Sequence, residues 1–500
     1  ARPGVTVDER RKVSGPTRAG VSSLRGHRVA TAAIALAILA TAGSYFWWAG
    51  WFEPRWSTAE PTGHHLPLYG RSLLDGHTWV RPAPPEMSKL PNPYDPEQYR
   101  AYFFVDLSYY RGFFYSYYGI VPVLTLFAPW TAITGAYLTE GFAAALLLSL
   151  AFAVAILLLR SAWLRHLPRA PGWAFALATL ALAYGDLSLL FLMLPPHPRV
   201  VQASAWLWLL VALAASFAAL HAERRGARWL ALASLACGLM VGSRSSHLGA
   251  CALLVPIAWV LFRGQPARGV APVPIGRVIA ALLPLVAIGL ALAWFNQVRF
   301  DSPFEFGVRY WLDGASRPGL RFFSLDPLPD NVFGHLFRVP AIEPDFPFLS
   351  WSDESLGALL LLPFTWLALL VPVGWRAQRA RDRTPFGAFA LAVALVPVPI
   401  LLAISLLPVH FVRHEADFVL PLTWLASMGL LSAAHAWHDR PTARRLLAVV
   451  ATVLVAISVA TTVFHAMGDW NHPEIPWLES LASATVRVLA WLRGAAVGSP

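Results

Sequence analysis

The sequence predicts an all-α polytopic integral membrane protein, and three observations carry that expectation. Hydrophobic residues make up 57% of the 500-residue chain and charged residues only 13%, against about 45–50% and about 25% in ordinary soluble domains. Uninterrupted apolar runs such as "AAALLLSLAFAVAILLL", "VIAALLPLVAIGLALAWF" and "LLAVVATVLVAISVATTVF" recur along the chain, each close to the roughly 20 residues that cross about 30 Å of hydrocarbon. Arg and Lys gather in the N-terminal tail and in every second short turn between the runs, which is the bias that marks cytoplasmic segments.

Span and flank together give about eleven transmembrane helices, at 29–50, 139–160, 173–194, 200–221, 227–243, 247–263, 277–297, 356–375, 385–408, 416–436 and 444–466. The N-terminus falls inside, so residues 1–28 are a cytoplasmic tail and 29–50 a retained anchor rather than a cleaved signal. Two large loops then face outward, 51–138 and 298–355, and both are too rich in Trp, Tyr and Phe to be disordered. Helices 2–7 occupy 139–297, helices 8–11 occupy 356–466, and an outward C-terminal segment covers 467–500. The stretch "YGIVPVLTLFAPWTAITG" (118–135) is short and holds two prolines. Crossing there would also put the basic "RSAWLRHLPR" on the wrong side, so it reads as a juxtamembrane or re-entrant helix within the first loop.

The same grounds weigh against several classes. The pI near 10.0 follows from the basic turns, and no clustered basic domain points to nucleic acid. Cys237 and Cys251 fall inside spans as small apolar fillers, with no disulfide framework and no CxxC pair. An odd span count without an internal repeat lacks the paired halves common in secondary transporters.

The chemistry concentrates in the outer loops and span ends. "FFVDLSYYRGFFYSYYG" (103–119) sets nine aromatic rings around Asp106 and Arg111. "SYYRGFFY" reads as a hairpin turning at Arg111-Gly112. Its aromatic wall, with Tyr109 and Tyr110, would either anchor the loop to the bilayer or stack on a sugar ring or prenyl chain. Asp106 is a lone carboxylate among rings, where desolvation would penalise its charged form unless a cation or metal offsets it, and this tilts the reading toward a functional wall. His64, His65 and His77 are metal ligands by type, but their spacing fits no known site.

In "VHFVRHEADFVLP", helical spacing puts His410, Arg413, His414 and Asp417 on one face and Glu415 off it. This is either a phosphate site with Arg413 as its fork or a salt bridge from Arg413 to Asp417 that ends a helix. In "GLMVGSRSSHLGA", Arg244 and His247 fall three apart, to bind an anion in a cavity or to snorkel to headgroups. Asp186 is an intramembrane acid, either functional or a helix cap; Glu140 marks the outer start of a span. In "FNQVRFDSPFEFGVRYWLDG", Arg299, Asp301, Glu305 and Arg309 alternate with aromatics, to hold a polar headgroup or to knit the two loops together.

This layout resembles the GT-C class of polyprenyl-phosphate-dependent membrane glycosyltransferases, and "DLSYYRGFFYSYYGIVP" and "NQVRFDSPFEFGVRY" are similar to stretches of bacterial envelope proteins grouped near that class. The resemblance implies a GT-C-like fold in the bacterial inner membrane, periplasmic outer loops, and sugar transfer from a polyprenyl-phosphate donor to an envelope acceptor. It implies that Asp106 is the first-loop acid, serving as base or as ligand to a divalent metal. Arg244, His247, Arg413, His414, Tyr109, Tyr110, Arg299 and Arg309 would then bind the lipid-linked sugar phosphate. Asp106 has Val105 and Leu107 as neighbours and no paired acid, which leaves metal dependence open. Two other readings remain: a non-catalytic membrane subunit whose aromatic caps bind a protein partner, and a lipid or polymer transporter with Asp186 as its coupling acid.

Overall fold

The computed structural model describes residues 18–52, 54–60, 64–102, 106–193, 197–222, 225–263, 275–312, 323–342, 349–350, 355–407 and 411–468. Most of the expected tail (1–28) and of the C-terminal segment (467–500) lies outside these residues, as does His410.

Among the described residues ten helices are long and apolar enough to cross a membrane: Thr31–Gly50, Glu140–His166, Gly172–Leu192, Arg199–His221, Gly226–Ser243, Ser245–Phe262, Ile275–Phe300, Ala380–Ser405, Val412–Ala436 and Pro441–Ala466. They make the chain an all-α multi-pass membrane protein. The span expected at 356–375 is the departure. It is built as three short pieces, Ala358–Leu361, the 3₁₀ segment Pro363–Leu370 and Val371–Ala377. Leu362 leaves helical geometry (φ −116°, ψ 65°) just before Pro363, a residue that cannot donate to the preceding turn.

Val412–Ala436 is the core of the bundle, buried along almost its whole length, whereas Ile275–Phe300 lies at the rim with one side open. Small residues permit the close packing at the centre. A Cβ at Gly429 would meet the Leu367 carbonyl oxygen at 1.9 Å, so only glycine lets the central helix lie against the Pro363–Leu370 turn.

The two long loops meet at one end of the bundle. Leu107–Tyr110 pairs with Phe113–Tyr115 across Arg111-Gly112, whose φ values of 47° and 86° are the left-handed pair that a two-residue hairpin turn requires. Arg81–Pro82 extends this hairpin on one side and Trp311–Leu312, from the second loop, on the other. All the pairings are antiparallel. Val123–Thr134 follows as a short apolar helix; at 1.5 Å per residue it spans only about 18 Å, too little to cross a bilayer.

Elsewhere in the second loop, the helix Leu328–Phe337 is fastened to the central helix. His335 and Glu415 are both fully buried, and His335 Nδ1 lies 3.1 Å from Glu415 Oε1. The same oxygen accepts the Leu356 amide at 2.6 Å. Burial, with Arg338 acting in the same direction, holds His335 down at about 4 from its ordinary 6.5. The unfolded chain therefore takes up this proton first as pH falls. The contribution of the His335 ring itself is intact above pH 6.5 and declines toward pH 4. Thermal unfolding in detergent between pH 7 and 5 should show His335→Asn, which keeps a donor but cannot titrate, losing less stability on acidification than the wild type.

Candidate functional site

The site begins at a backbone kink. Asp106 has φ 61°, a left-handed conformation that aspartate tolerates better than most L residues yet that still carries strain of order 1–3 kcal/mol. The kink precedes the first strand of the hairpin, and the far end of the hairpin returns to it. Tyr117 and Tyr118 hydroxyls lie 3.3 Å from Asp106 Oδ1 and Oδ2 respectively, and 3.0 Å from each other. The single Tyr117 proton serves either the carboxylate or its neighbouring hydroxyl, so the three groups form one hydrogen-bonded cluster. The His65 ring stacks on Tyr118, 5.7 Å between centroids, and Trp311 packs on Tyr117 at 5.5 Å.

The next residue docks this cluster on the helix bundle. A Cβ at Gly119 would fall 2.1 Å from the Ser243 carbonyl oxygen and 2.3 Å from that of Gly242. Only a glycine permits this approach, and the residue after Ser243 is Arg244.

Arg244 Nε donates to Asp417 Oδ2. Asp417 is fully buried and Arg244 nearly so. The other carboxylate oxygen accepts Gln202 Nε2 at 3.0 Å, and that amide also donates to the Arg413 carbonyl at 2.7 Å. Ser204 and Ser243 hydroxyls meet at 2.8 Å. Three helices, carrying Gln202, Ser243 and Asp417, are thus tied at one level. His247 is buried beside them, with Nδ1 3.3 Å from Ser246 Oγ. The alternative pairing of Asp417 with Arg413 is not made.

Arg413 is instead half-buried in the first turn of Val412–Ala436, its guanidinium 4.0 Å from the centre of the Phe411 ring. Among the described residues no carboxylate pairs with it. An unpaired guanidinium at a helix N-terminus, where amide groups point outward, is an arrangement suited to an anion.

Electrostatics connect the two halves. Burial pushes the Tyr118 hydroxyl well up, Asp106 adds to the rise, and Arg413 and then Arg244 pull it back. Tyr117 is likewise raised by burial, by Tyr118 and by Asp106, and eased by Arg413. Both tyrosines therefore remain protonated donors at neutral pH. The charges of Asp106 and of both arginines are thus felt at Tyr118.

Other candidates are placed apart. Arg299 is buried between Phe295 and Phe300, donating to the Ser116 carbonyl at 2.9 Å and Asn296 Oδ1 at 2.7 Å; it holds the end of the hairpin. Tyr110 donates to Asp301 at 3.0 Å, and Arg111 pairs with the same carboxylate at 2.5 Å. Glu305 caps the Gly307 amide at 2.7 Å. These residues knit the loops, and Arg111 is spent on Asp301 rather than on Asp106. Tyr109 is buried against Phe114, Arg309 is exposed, and His414 packs edge-on against Phe411.

Glu140 accepts the Leu66 amide at 3.2 Å, at the start of the helix His65–Leu74. Asp186 Oδ1 accepts both the amide (3.1 Å) and the hydroxyl (2.5 Å) of Ser188, and so caps the second half of its span. His77 stacks on Trp79. Among the described residues no three His, Cys, Asp or Glu side chains gather in a metal-ligand cluster.

Gln202, Tyr117 and Tyr118 are the members that sequence patterns do not single out. The ion pair and the free guanidinium differ in what their loss should cost. Asp417→Ala leaves Arg244 buried without its carboxylate and should destabilise by about 3–5 kcal/mol. Arg413→Ala removes no partner and should stay within about 1 kcal/mol of wild type. Unfolding midpoints in detergent check the contrast.

No family model matches this chain, and neither do the curated proteins or solved structures with which it was compared.

Proposed function

We propose that the protein is a membrane glycosyltransferase of GT-C type, transferring a sugar from a polyprenyl-phosphate donor to an envelope acceptor at the outer face of the bacterial inner membrane. The observation that carries this reading is the hydrogen-bonded Asp106–Tyr117–Tyr118 cluster, docked through Gly119 on the carbonyls next to Arg244 at the loop-bearing end of an apolar bundle. Base and anion site are the two halves that the reaction needs.

In this reading the N-terminus is inside and both long loops face outward. The donor's prenyl chain lies among the apolar helices and its phosphate against Arg413, with Arg244 alongside. Asp106 takes the proton of an acceptor hydroxyl as that oxygen attacks the anomeric carbon. The bond from the anomeric carbon to the phosphate oxygen breaks, and its electron pair leaves with the lipid phosphate. The arginines oppose the charge that grows on that oxygen, which is where electrostatic help lowers the barrier most. The protonated tyrosines hold the carboxylate in place and donate to oxygens beside it. Asp417 and Gln202 keep Arg244 from following the departing phosphate. No step here is routed through a metal.

Asp106→Asn separates charge from structure, because asparagine is nearly isosteric and also accepts a left-handed φ. With purified enzyme and a polyprenyl-phosphate sugar, transfer should fall by about 10²-fold or more while the unfolding midpoint stays close to wild type. Full activity in Asp106→Asn would remove the carboxylate from the chemistry and with it this mechanism.

A further inference from the structure

The helix Leu328–Phe337 is built inside out. Its buried residues include Asn331, Gly334 and His335, a mainly polar face, while Phe333 is 63% exposed and lies about 150° round the helix from them. The flanking Phe323, Leu325 and Val339 are 70%, 74% and 70% exposed. A segment bathed in water would show the reverse pattern, and large apolar side chains clustered on a surface mark an interaction site.

The polar face fixes where this segment sits. Asn331 Nδ2 donates to the carbonyls of Ser405 (3.0 Å) and Leu407 (2.9 Å), and the Ser324 amide donates to the Leu406 carbonyl (3.1 Å). Those carbonyls lie at and just past the C-terminal end of the span Ala380–Ser405, so the segment is held at the level where that span leaves the hydrocarbon. The span's outward stripe, Val398 and Leu402, is itself exposed and apolar and runs, at four-residue spacing, to Leu406. The apolar surface of the segment therefore continues a surface already suited to lipid.

We infer that Leu328–Phe337 and its flanks dock on the membrane, with Phe333 and its apolar neighbours inserted at the boundary between headgroups and acyl chains. The occupant is lipid of the leaflet at the loop-bearing end. Through His335 and Glu415, this contact reaches the central helix two residues from Arg413, so the leaflet surface and the anion site are set at a fixed relative height. The inference stands whether or not the site transfers sugar.

Site-directed spin labelling tests it directly. In a Cys237→Ala, Cys251→Ala background, Phe333→Cys, Val339→Cys and, as an exposed reference outside the segment, Arg309→Cys each receive a nitroxide, and the full chain is placed in phosphatidylcholine nanodiscs. Power saturation then compares collisions with oxygen, which concentrates in lipid, and with a water-soluble nickel chelate. Labels at 333 and 339 should favour oxygen and lose nickel access relative to the label at 309. Equal nickel access at 333 and 309 would overturn the inference in favour of an aqueous surface. Shielding of 333 from both probes would overturn it in favour of a second copy of the chain. All three positions are exposed, so the labels should not disturb folding, and matching unfolding midpoints verify that.

Discussion

The buried carboxylate of Asp417 is the constraint on which the functional end of this protein depends. A fully buried aspartate in an apolar bundle is tolerated only if its charge is matched and its lone pairs are filled. Arg244 and Gln202 do both. The cost of leaving either oxygen bare forces three helices to a common level, and that level sets the position of everything around it. Arg244 is held through its Nε by Asp417. Arg413, whose carbonyl shares the Gln202 amide, has no acid partner among the described residues. One arginine is neutralised to build the site, and the other stays available to a ligand.

The first loop reaches this frame through a single close approach. Gly119 lies on the carbonyls that precede Arg244, which brings Tyr118 and the Asp106 carboxylate to the arginines without an ion pair between Asp106 and either of them among the described residues. A direct pair would neutralise the carboxylate and the guanidinium that the proposed transfer uses separately. The Asp106 carboxylate is instead met by the hydroxyls of Tyr117 and Tyr118. The second loop locks the arrangement from outside, through the Trp311–Leu312 strand and the Arg111–Asp301 pair.

How much of this can be read from sequence depends on whether the signal is local. The apolar runs mark the spans, and the prolines at 363 and 372 account for the broken geometry at 358–377. Asp106, Arg244 and Arg413 stand out because charges are rare at membrane boundaries. Gln202 carries no such mark, being one polar residue in "RVVQASAW" whose role appears only when Asp417 is placed opposite. Tyr117 and Tyr118 belong to the aromatic wall by composition; the left-handed turn at Asp106, which aims its carboxylate back at them, is not legible in a non-glycine residue. Arg299 and Arg309 resemble Arg413 in sequence setting, yet one is consumed by Ser116 and Asn296 and the other is exposed. Glu415 falls off the face shared by Arg413 and Asp417, and that offset is what turns it toward His335.

The most direct measurement of the account is equilibrium binding of a short-chain polyprenyl phosphate to the purified protein in nanodiscs. Arg413→Ala should weaken binding at least tenfold, while Arg309→Ala, which removes an exposed arginine of the neighbouring loop, should leave it unchanged. Equal affinity in wild type and Arg413→Ala would contradict the assignment of this locus as a lipid-phosphate site.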